Sequence, residues 1–252
     1  INFTKCSFIG NNPSKDIEKI SVLSQLGPSI KVISFETLSI NNLSIESSVS
    51  YSNPTGIIIT SESAQPETTI KDFSCIGNKI IGSLSDSPYS SNCLFFSQKG
   101  SIELENIKMF YNSIASGGGN NCINSDSTQA SLTINSAQFI GNEARRESLC
   151  VKFYGLNLRI NNSFFLSNRN PDLLMISAND AGAVHLGCDE IYIFNTSFSN
   201  GSSYSAAGIK IHNIMGKAMQ TVRFEKVFIT ENKGESTAAI EFHSSIGVID
   251  FK

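Results

Sequence analysis

Apolar and polar residues alternate in short runs along this chain, and the run from Leu132 to Asn142 shows the pattern most clearly. Apolar side chains occupy Leu132 and Ile134, a polar Asn-Ser pair follows, and Ala137 and Phe139 resume the alternation before Asn142 closes the run. A spacing of two residues is typical of a strand with one buried face, whereas a helix buries every third or fourth residue. The run therefore predicts two short strands separated by a bend.

The same frame recurs along the whole sequence. With Ile134 taken as the anchor position, apolar residues recur two positions before it, three after it and five after it. The equivalent anchor positions are Phe3, Ile40, Ile70, Leu104, Ile134, Ile160, Ile193, Phe224 and Phe251. Successive steps are roughly 26 to 37 residues, the range in which internal repeats indicate stacked architectures.

A third short apolar pair follows each copy of the frame. These pairs are Ile30/Val32, Ile57/Ile59, Leu94/Phe96, a weaker version at Ile123, Val151/Phe153, Val184/Leu186, Ile209/Ile211 and Ile240/Phe242. Three short strands per repeat, without the helices of leucine-rich or ankyrin repeats, predict an all-β parallel solenoid of about eight coils. Residues 1–252 would form one domain, a rod roughly 40 Å long with coils about 4.8 Å apart.

An Asn closes most copies of the frame, at Asn11, Asn78, Asn112, Asn142, Asn168 and Asn232. Because Asn tolerates left-handed backbone better than most residues, we expect the closing Asn to be a left-handed turn residue. Stacked Asn side chains can also hydrogen-bond from coil to coil. The sequence therefore predicts a structural Asn ladder along the rod.

Short signatures within the repeat resemble those of a known family. Phe8-Ile9-Gly10-Asn11, Phe139-Ile140-Gly141-Asn142 and Phe165-Leu166-Ser167-Asn168 match the F-x-x-N half of the repeat of the chlamydial polymorphic membrane proteins. Degenerate forms of its G-G-A-I half are Ala181-Gly182-Ala183-Val184, Ala206-Ala207-Gly208-Ile209 and Thr237-Ala238-Ala239-Ile240. Those proteins are surface-exposed autotransporter adhesins, and similar repeats occur in other large surface proteins of pectin-lyase-like fold. The resemblance implies a single-stranded right-handed β-helix, at the cell surface or extracellular, with an adhesive or structural role.

Composition narrows the range of partners. Only 16% of the residues are charged and the net charge is −3, so no basic patch indicates nucleic acid. No apolar run reaches the length of about 18 residues that a membrane span requires. The expected partners are therefore other protein subunits or cell-surface ligands, glycans among them, without nucleic acid and without a membrane span in this chain.

The two ends and the long connections suggest how such a rod would associate. Ile1 already lies within a strand pair, and Phe251-Lys252 begins another, so neither end shows the polar cap that solenoids normally carry. We therefore expect a segment of a longer chain or a filament subunit with covered ends. Long, variable connections at 12–29, 79–93 and 169–183 are the expected binding loops.

Three cysteines occupy one position of the repeat. Cys93, Cys122 and Cys150 each precede the first apolar residue of a third strand, so they would stack on consecutive coils. Neighbouring Cα atoms about 4.8 Å apart lie within the disulfide range, which leaves Cys93–Cys122 and Cys122–Cys150 as alternatives. A position that selects small buried residues explains the same pattern without a disulfide. Cys6 and Cys75 occupy inward positions two coils apart, where we expect core thiols.

Charged residues are expected on the outward side of the third strands. His185 lies between the inward Val184 and Leu186 and should point outward beside Lys210 of the following coil. Lys210 in turn faces Glu241, which predicts an ordinary cross-strand charge pair on the surface.

N-glycosylation sequons begin at Asn2, Asn42, Asn161, Asn195 and Asn200. Asn42, Asn161 and Asn195 lie at or beside the polar bend between the first two strands, an exposed place in the predicted coil. In a secreted eukaryotic protein they would carry glycans, and in a bacterial protein they would be turn residues.

No arrangement of residues indicates catalysis. Polysaccharide lyases and hydrolases of pectin-lyase-like fold need carboxylates that converge on one groove. The candidate carboxylates, Asp126, Glu147, Asp180, Asp189 and Glu190, are scattered over different coils and turns. The sequence thus favours a rod without enzymatic activity, cofactor or metal, with a carbohydrate-binding module or a polysaccharide-degrading enzyme as the alternatives.

Overall fold

Every regular element in the described part of the chain is a β-strand. This computed structural model describes residues 2–9, 30–33, 35–50, 55–83, 93–116, 122–125, 127–144, 150–169, 184–203, 207–212, 219–234, 239–243 and 246–252. The strands pair in parallel and stack as the coils of a β-solenoid, which confirms the predicted fold class. Within these ranges, no helix has the length and apolar character needed to span a membrane.

In chain order the strands are β1 (Asn2–Ile9), β2 (Ile30–Ile33), β3 (Thr37–Glu46), β4 (Val49–Ser50), β5 (Ile57–Thr60), β6 (Glu67–Ile76), β7 (Lys79–Ser83), β8 (Leu94–Ser97), β9 (Gly100–Glu105), β10 (Lys108–Phe110), β11 (Ser113–Ser116), β12 (Ile123–Ser125), β13 (Ala130–Asn135), β14 (Gln138–Ile140), β15 (Val151–Asn161), β16 (Phe164–Leu166), β17 (Val184–Ser199), β18 (Ser202–Ser203), β19 (Ile209–His212), β20 (Met219–Thr230), β21 (Lys233–Gly234), β22 (Ile240–His243) and β23 (Ile246–Phe251). One sheet contains most of them, and two small sheets contain β4, β7 and β11, and β18 and β21.

Strand pairing follows the predicted register along the rod. Each anchor position pairs with the anchor position of the next coil, in the order Phe3, Ile40, Ile70, Leu104, Ile134, Ile160, Ile193, Phe224 and Phe251. The third strands pair likewise, from Ile30 through Ile57, Leu94, Ile123, Val151, Val184 and Ile209 to Ile240. A slip of one residue would turn every side chain to the opposite face, so this agreement fixes which residues are buried.

Inward side chains form continuous columns inside the coils. The column that lies five residues after each anchor position contains Ile45, Cys75, Met109, Phe139, Phe165 and Phe198, all of them buried. The rings of Phe139 and Phe165 stack with centroids 4.5 Å apart, and those of Phe165 and Phe198 with centroids 4.6 Å apart. Each coil therefore covers the apolar side of its neighbour.

Each coil bends at residues with left-handed backbone, and these are not the closing Asn residues. The first bend uses Asn42, Asp72, Asn106, Ser136, Asn162, Asn195 and Lys226, two positions after the anchor. The second uses Ser47, Gly77, Tyr111, Gly141, Ser167, Asn200 and Glu231, each directly before the closing position. The expectation of a left-handed closing Asn was wrong by one residue, because the preceding residue makes the turn and the Asn side chain then enters the interior.

A short extended segment after the closing Asn was not predicted. Strands β4, β7 and β11 pair there, and isolated parallel bridges continue the row from Ser113 through Glu143 and Arg169 to Ser202. Ile80 and Ile114 are buried in this segment as a small second cluster. The coil thus has a fourth extended segment, too short to show alternation in the sequence.

Candidate functional site

The closing Asn side chains form a hydrogen-bonded ladder inside the second bend. The Nδ2 group of Asn78 donates to Oδ1 of Asn112 (3.2 Å), that of Asn112 to Asn142 (3.0 Å), and that of Asn142 to Asn168 (2.9 Å). Each Nδ2 also donates to a carbonyl of the preceding coil, such as Met109 O for Asn142 (2.8 Å). These four side chains are buried, so the ladder satisfies backbone groups that water cannot reach.

The ladder changes at the seventh coil, where Gly201 occupies the closing position. Asn232 still accepts a hydrogen bond from the Gly201 amide (2.8 Å) and donates to Phe198 O (2.8 Å). Asn11, the first predicted member, lies outside the described residues. At the described members of this position, the side-chain amides are therefore used within the fold.

A disulfide joins Cys75 to Cys93, with a Cα–Cα distance of 6.1 Å. The two predicted alternatives, Cys93–Cys122 and Cys122–Cys150, are wrong, since Cys122 and Cys150 are buried free thiols. Both alternatives paired neighbours along the rod. Cys75 instead points inward from β6, and Cys93 directly precedes β8. The two side chains meet inside the coil.

The structure describes three buried thiols, of which Cys122 and Cys150 contact each other in the core. Cys122 and Cys150 precede the paired residues Ile123 and Val151, and Cys188 is a third buried free cysteine. Burial raises the pKa of the Cys150 thiol, and a hydrogen bond with Cys122 raises it further. The raised pKa favours the thiol over the thiolate at Cys150, and burial keeps all three sulfur atoms from solvent, so none of them is placed to act as a nucleophile.

The sequon asparagines differ in accessibility. Asn42, Asn195 and Asn200 are exposed residues with positive φ at the bends, as expected for surface positions. Asn161 is partly buried, and its Nδ2 donates to Asn135 Oδ1 (2.8 Å). Asn2 lies in β1, with its side chain outside the described set. Exposure alone separates them, since the Nδ2 groups of Asn195 and Asn200 also donate to a neighbouring coil. Asn42, Asn195 and Asn200 are the more accessible of the described sequon residues.

Of the five candidate carboxylates, the structure describes only two. Asp189 and Glu190 are adjacent residues of β17, whereas Asp126, Glu147 and Asp180 lie outside the described residues. The described ranges contain no group of three His, Cys, Asp or Glu side chains able to hold a metal ion. Most residues of the three long connections, 12–29, 79–93 and 169–183, also lie outside the described ranges. Strand β7, at the start of the connection 79–93, is described.

Charge pairs bridge neighbouring coils on the outer surface. Lys71 Nζ lies 2.6 Å from Glu105 Oε2, and this hydrogen bond raises the pKa of Lys71. Arg169 Nε donates to Glu143 Oε1 (2.6 Å), and Arg223 Nε lies 3.1 Å from Asp250 Oδ2. Such exposed pairs contribute about 0–1 kcal/mol each.

Lys210 differs from the expected exposed cross-strand residue. It pairs in register with His185 and with Glu241, as predicted, but only 2% of its surface is exposed. The neighbouring outward positions Ile58, Phe95 and Asn124 of the third strands are also buried. The outer side of the third strands is therefore covered along much of the rod, whereas the sequence pattern indicated a solvated face.

The first strand segment of each coil is the one that contains the anchor position. The outer face of these segments, by contrast, carries an open groove of about 570 Å³. Its principal lining side chains form two columns on three successive coils, Arg159–Tyr192–Arg223 and Asn157–Glu190–Thr221. Burial and a hydrogen bond from the Tyr192 hydroxyl to Glu225 Oε2 (3.0 Å) raise the pKa of Tyr192. We call this set of six residues the first-strand groove.

The first-strand groove was not predicted, although its columns follow from the repeat. Arg159, Tyr192 and Arg223 each stand one residue before an anchor position, so the frame itself places them side by side. A long row of exposed aromatics or a pair of carboxylates would be a recognisable signal in a sequence, and this mixed set of side chains is neither.

Comparison with protein-family models, curated proteins and solved structures finds no match to this chain.

Proposed function

We propose that this chain is an extracellular or cell-surface β-helix rod with a structural and adhesive role. The observation that carries the proposal is the in-register stacking of inward columns and buried amides along the described coils. Such a core is stiff and repetitive, and it spaces outer side chains about 4.8 Å apart over a long surface. Right-handed coiling and the likeness to autotransporter adhesins belong to the same proposal.

The Cys75–Cys93 disulfide supports the extracellular location. Disulfides persist in oxidising compartments and are rare where thiols are kept reduced. Binding would reside in the long connections and in contacts with other subunits or surface ligands, since irregular segments on a rigid scaffold commonly carry recognition.

Surface labelling of intact source cells tests the proposal. Cells are treated with a membrane-impermeant biotin reagent, and the protein is captured with antibodies raised against residues 1–252. We expect biotinylated protein from intact cells, with a cytosolic protein unlabelled as the control. Labelling that appears only after the cells are permeabilised would contradict an extracellular role.

A further inference from the structure

The first-strand groove is not required by the core or by the rod. Its side chains point outward from paired strands whose inward residues are already packed, and its size lies in the range of about 300–1,000 Å³ that is usual for ligand pockets. Three successive coils extend it about 10 Å along the rod. These dimensions suit a ligand of one or a few rings lying along the coils.

Two charged side chains in the groove have unused hydrogen-bonding capacity. Arg159 and Glu190 are exposed, lie on adjacent coils, and make no hydrogen bond or ion pair within the described residues. The other charges nearby are engaged, since Arg223 pairs with Asp250 and Glu225 accepts from Tyr192. The groove therefore offers guanidinium donors and a carboxylate acceptor at the same time.

Tyr192 stands between Arg159 and Arg223 in its column, on the same strand as Glu190, and its side chain is held in place. Its hydroxyl is fixed by Glu225, and its ring packs against Phe194 with centroids 6.3 Å apart. A fixed aromatic ring gives apolar contact at low entropic cost, because little rotamer freedom remains to be lost on binding.

The mixture of positive and negative side chains in and beside the groove disfavours a charged ligand of either sign. An anion would gain from Arg159 but face Glu190, Glu225 and Asp250, and a cation would face Arg159 and Arg223. The hydroxyl groups of an uncharged sugar ring can donate hydrogen bonds to the Glu190 carboxylate and accept them from the Arg159 guanidinium, while the C–H groups of the ring pack against Tyr192. We propose that the first-strand groove binds an uncharged glycan built of pyranose rings.

The site goes beyond the rod function and does not depend on it. A rod without glycan affinity would still be labelled at the cell surface, and a glycan-binding chain could be found in another compartment. A negative result in the surface-labelling experiment would therefore leave the glycan-binding proposal intact, and a negative result in the glycan-binding experiment would leave the rod proposal intact.

Binding is tested on the full chain with a panel of uncharged tetrasaccharides built from glucose, N-acetylglucosamine, mannose or galactose. Oligogalacturonate and a heparin-derived tetrasaccharide are the anionic arms. We expect saturable binding of at least one uncharged probe by titration calorimetry. Arg159→Gln and Glu190→Gln should each weaken it about tenfold, the contribution expected of one hydrogen bond to a charged group.

Glu103→Gln is the matched control. Glu103 is an exposed carboxylate in the column of Arg159, two coils away and outside the groove, so its replacement should leave the affinity unchanged. The proposal is overturned if no uncharged probe binds, or if Arg159→Gln and Glu190→Gln bind like the original chain. Tighter binding of an anionic probe, strengthened by Glu190→Gln, would equally overturn it.

Discussion

At the scale of single residues, the bends of the coil place unusual demands on the side chains that occupy them. Left-handed backbone costs an ordinary L-residue about 1–2 kcal/mol, and Asn and Asp tolerate it better. At the first bend, Asn106 donates to Asp72 (3.1 Å) and Asn195 donates to Asn162 (2.8 Å). Ser136 interrupts this outer row in the middle of the rod.

Ser136→Asn should raise the free energy of unfolding by about 1 kcal/mol, because Asn tolerates the left-handed backbone and can join the outer row. Urea denaturation followed by circular dichroism measures the change. Thr133→Asn is the matched control, since Thr133 lies in β13 and Asn is a poorer strand former. Equal effects of the two changes would contradict the assignment of the bend.

Two buried serines should respond in opposite directions to the same change. Among the residues that the structure describes, Ser125 Oγ has no hydrogen-bond partner, whereas Ser163 Oγ accepts from the Ala137 amide (3.1 Å) and donates to Asn161 O (2.8 Å). Ser125→Ala should therefore stabilise the fold by about 1 kcal/mol, and Ser163→Ala should destabilise it by about 1–2 kcal/mol. Thermal unfolding of both variants provides the measurement, and a shared sign would be inconsistent with these contacts.

At the scale of the strands and columns, stability comes from neighbouring coils. Phe165 stacks between Phe139 and Phe198 inside the coil, while Phe164 points outward and is only partly buried. Phe165→Ala should cost about 3–5 kcal/mol through lost burial and a cavity, and Phe164→Ala less than about 1 kcal/mol. Denaturant midpoints of the two variants test this alternation, and similar losses would reject it.

The Asn ladder gives an element-scale prediction of its own. Asn142→Ala would leave Met109 O and the Asn112 amide without their side-chain partners in the interior. We expect a loss of about 3 kcal/mol, against little change for exposed Asn157→Ala. Hydrogen exchange should show faster exchange at Asn112 in the first variant, and unchanged protection there would argue against a stabilising role of the ladder.

How far the elements could be predicted depends on which contacts create them. Pairing of Ile134 with Leu104 and Ile160 follows from a period of two and a common frame, so it was accessible from the sequence. The Cys75–Cys93 disulfide crosses the interior of a coil, and no spacing rule encodes that cross-section. The left-handed residue before each Asn was also hidden, because different residue types occupy that position in different coils, whereas the recurrent Asn is itself a residue that tolerates left-handed backbone.

At the scale of the whole molecule, the described coils share one core and one direction of stacking. The repeat frame predicted this arrangement because each coil can bury its apolar side only against another coil. The first-strand groove could not be recognised in the same way, since a ligand site needs side chains of different coils to be unpaired as well as adjacent. The columns follow from the sequence, and the unused capacity of Arg159 and Glu190 follows from the structure.

Distances between spin labels along one outer column test the stacking most directly. Ser39, Thr69, Arg159 and Arg223 occupy that column. Cys122, Cys150 and Cys188 are buried, which favours labelling of a Cys introduced at the surface, and labelling of the unsubstituted chain measures the background from native thiols. The pairs Ser39–Arg159, Thr69–Arg223 and Ser39–Arg223 are four, five and six coils apart. Pulsed electron paramagnetic resonance should give about 19, 24 and 29 Å, one increment of about 4.8 Å per coil. Distances that do not increase with coil number would contradict the stacked solenoid.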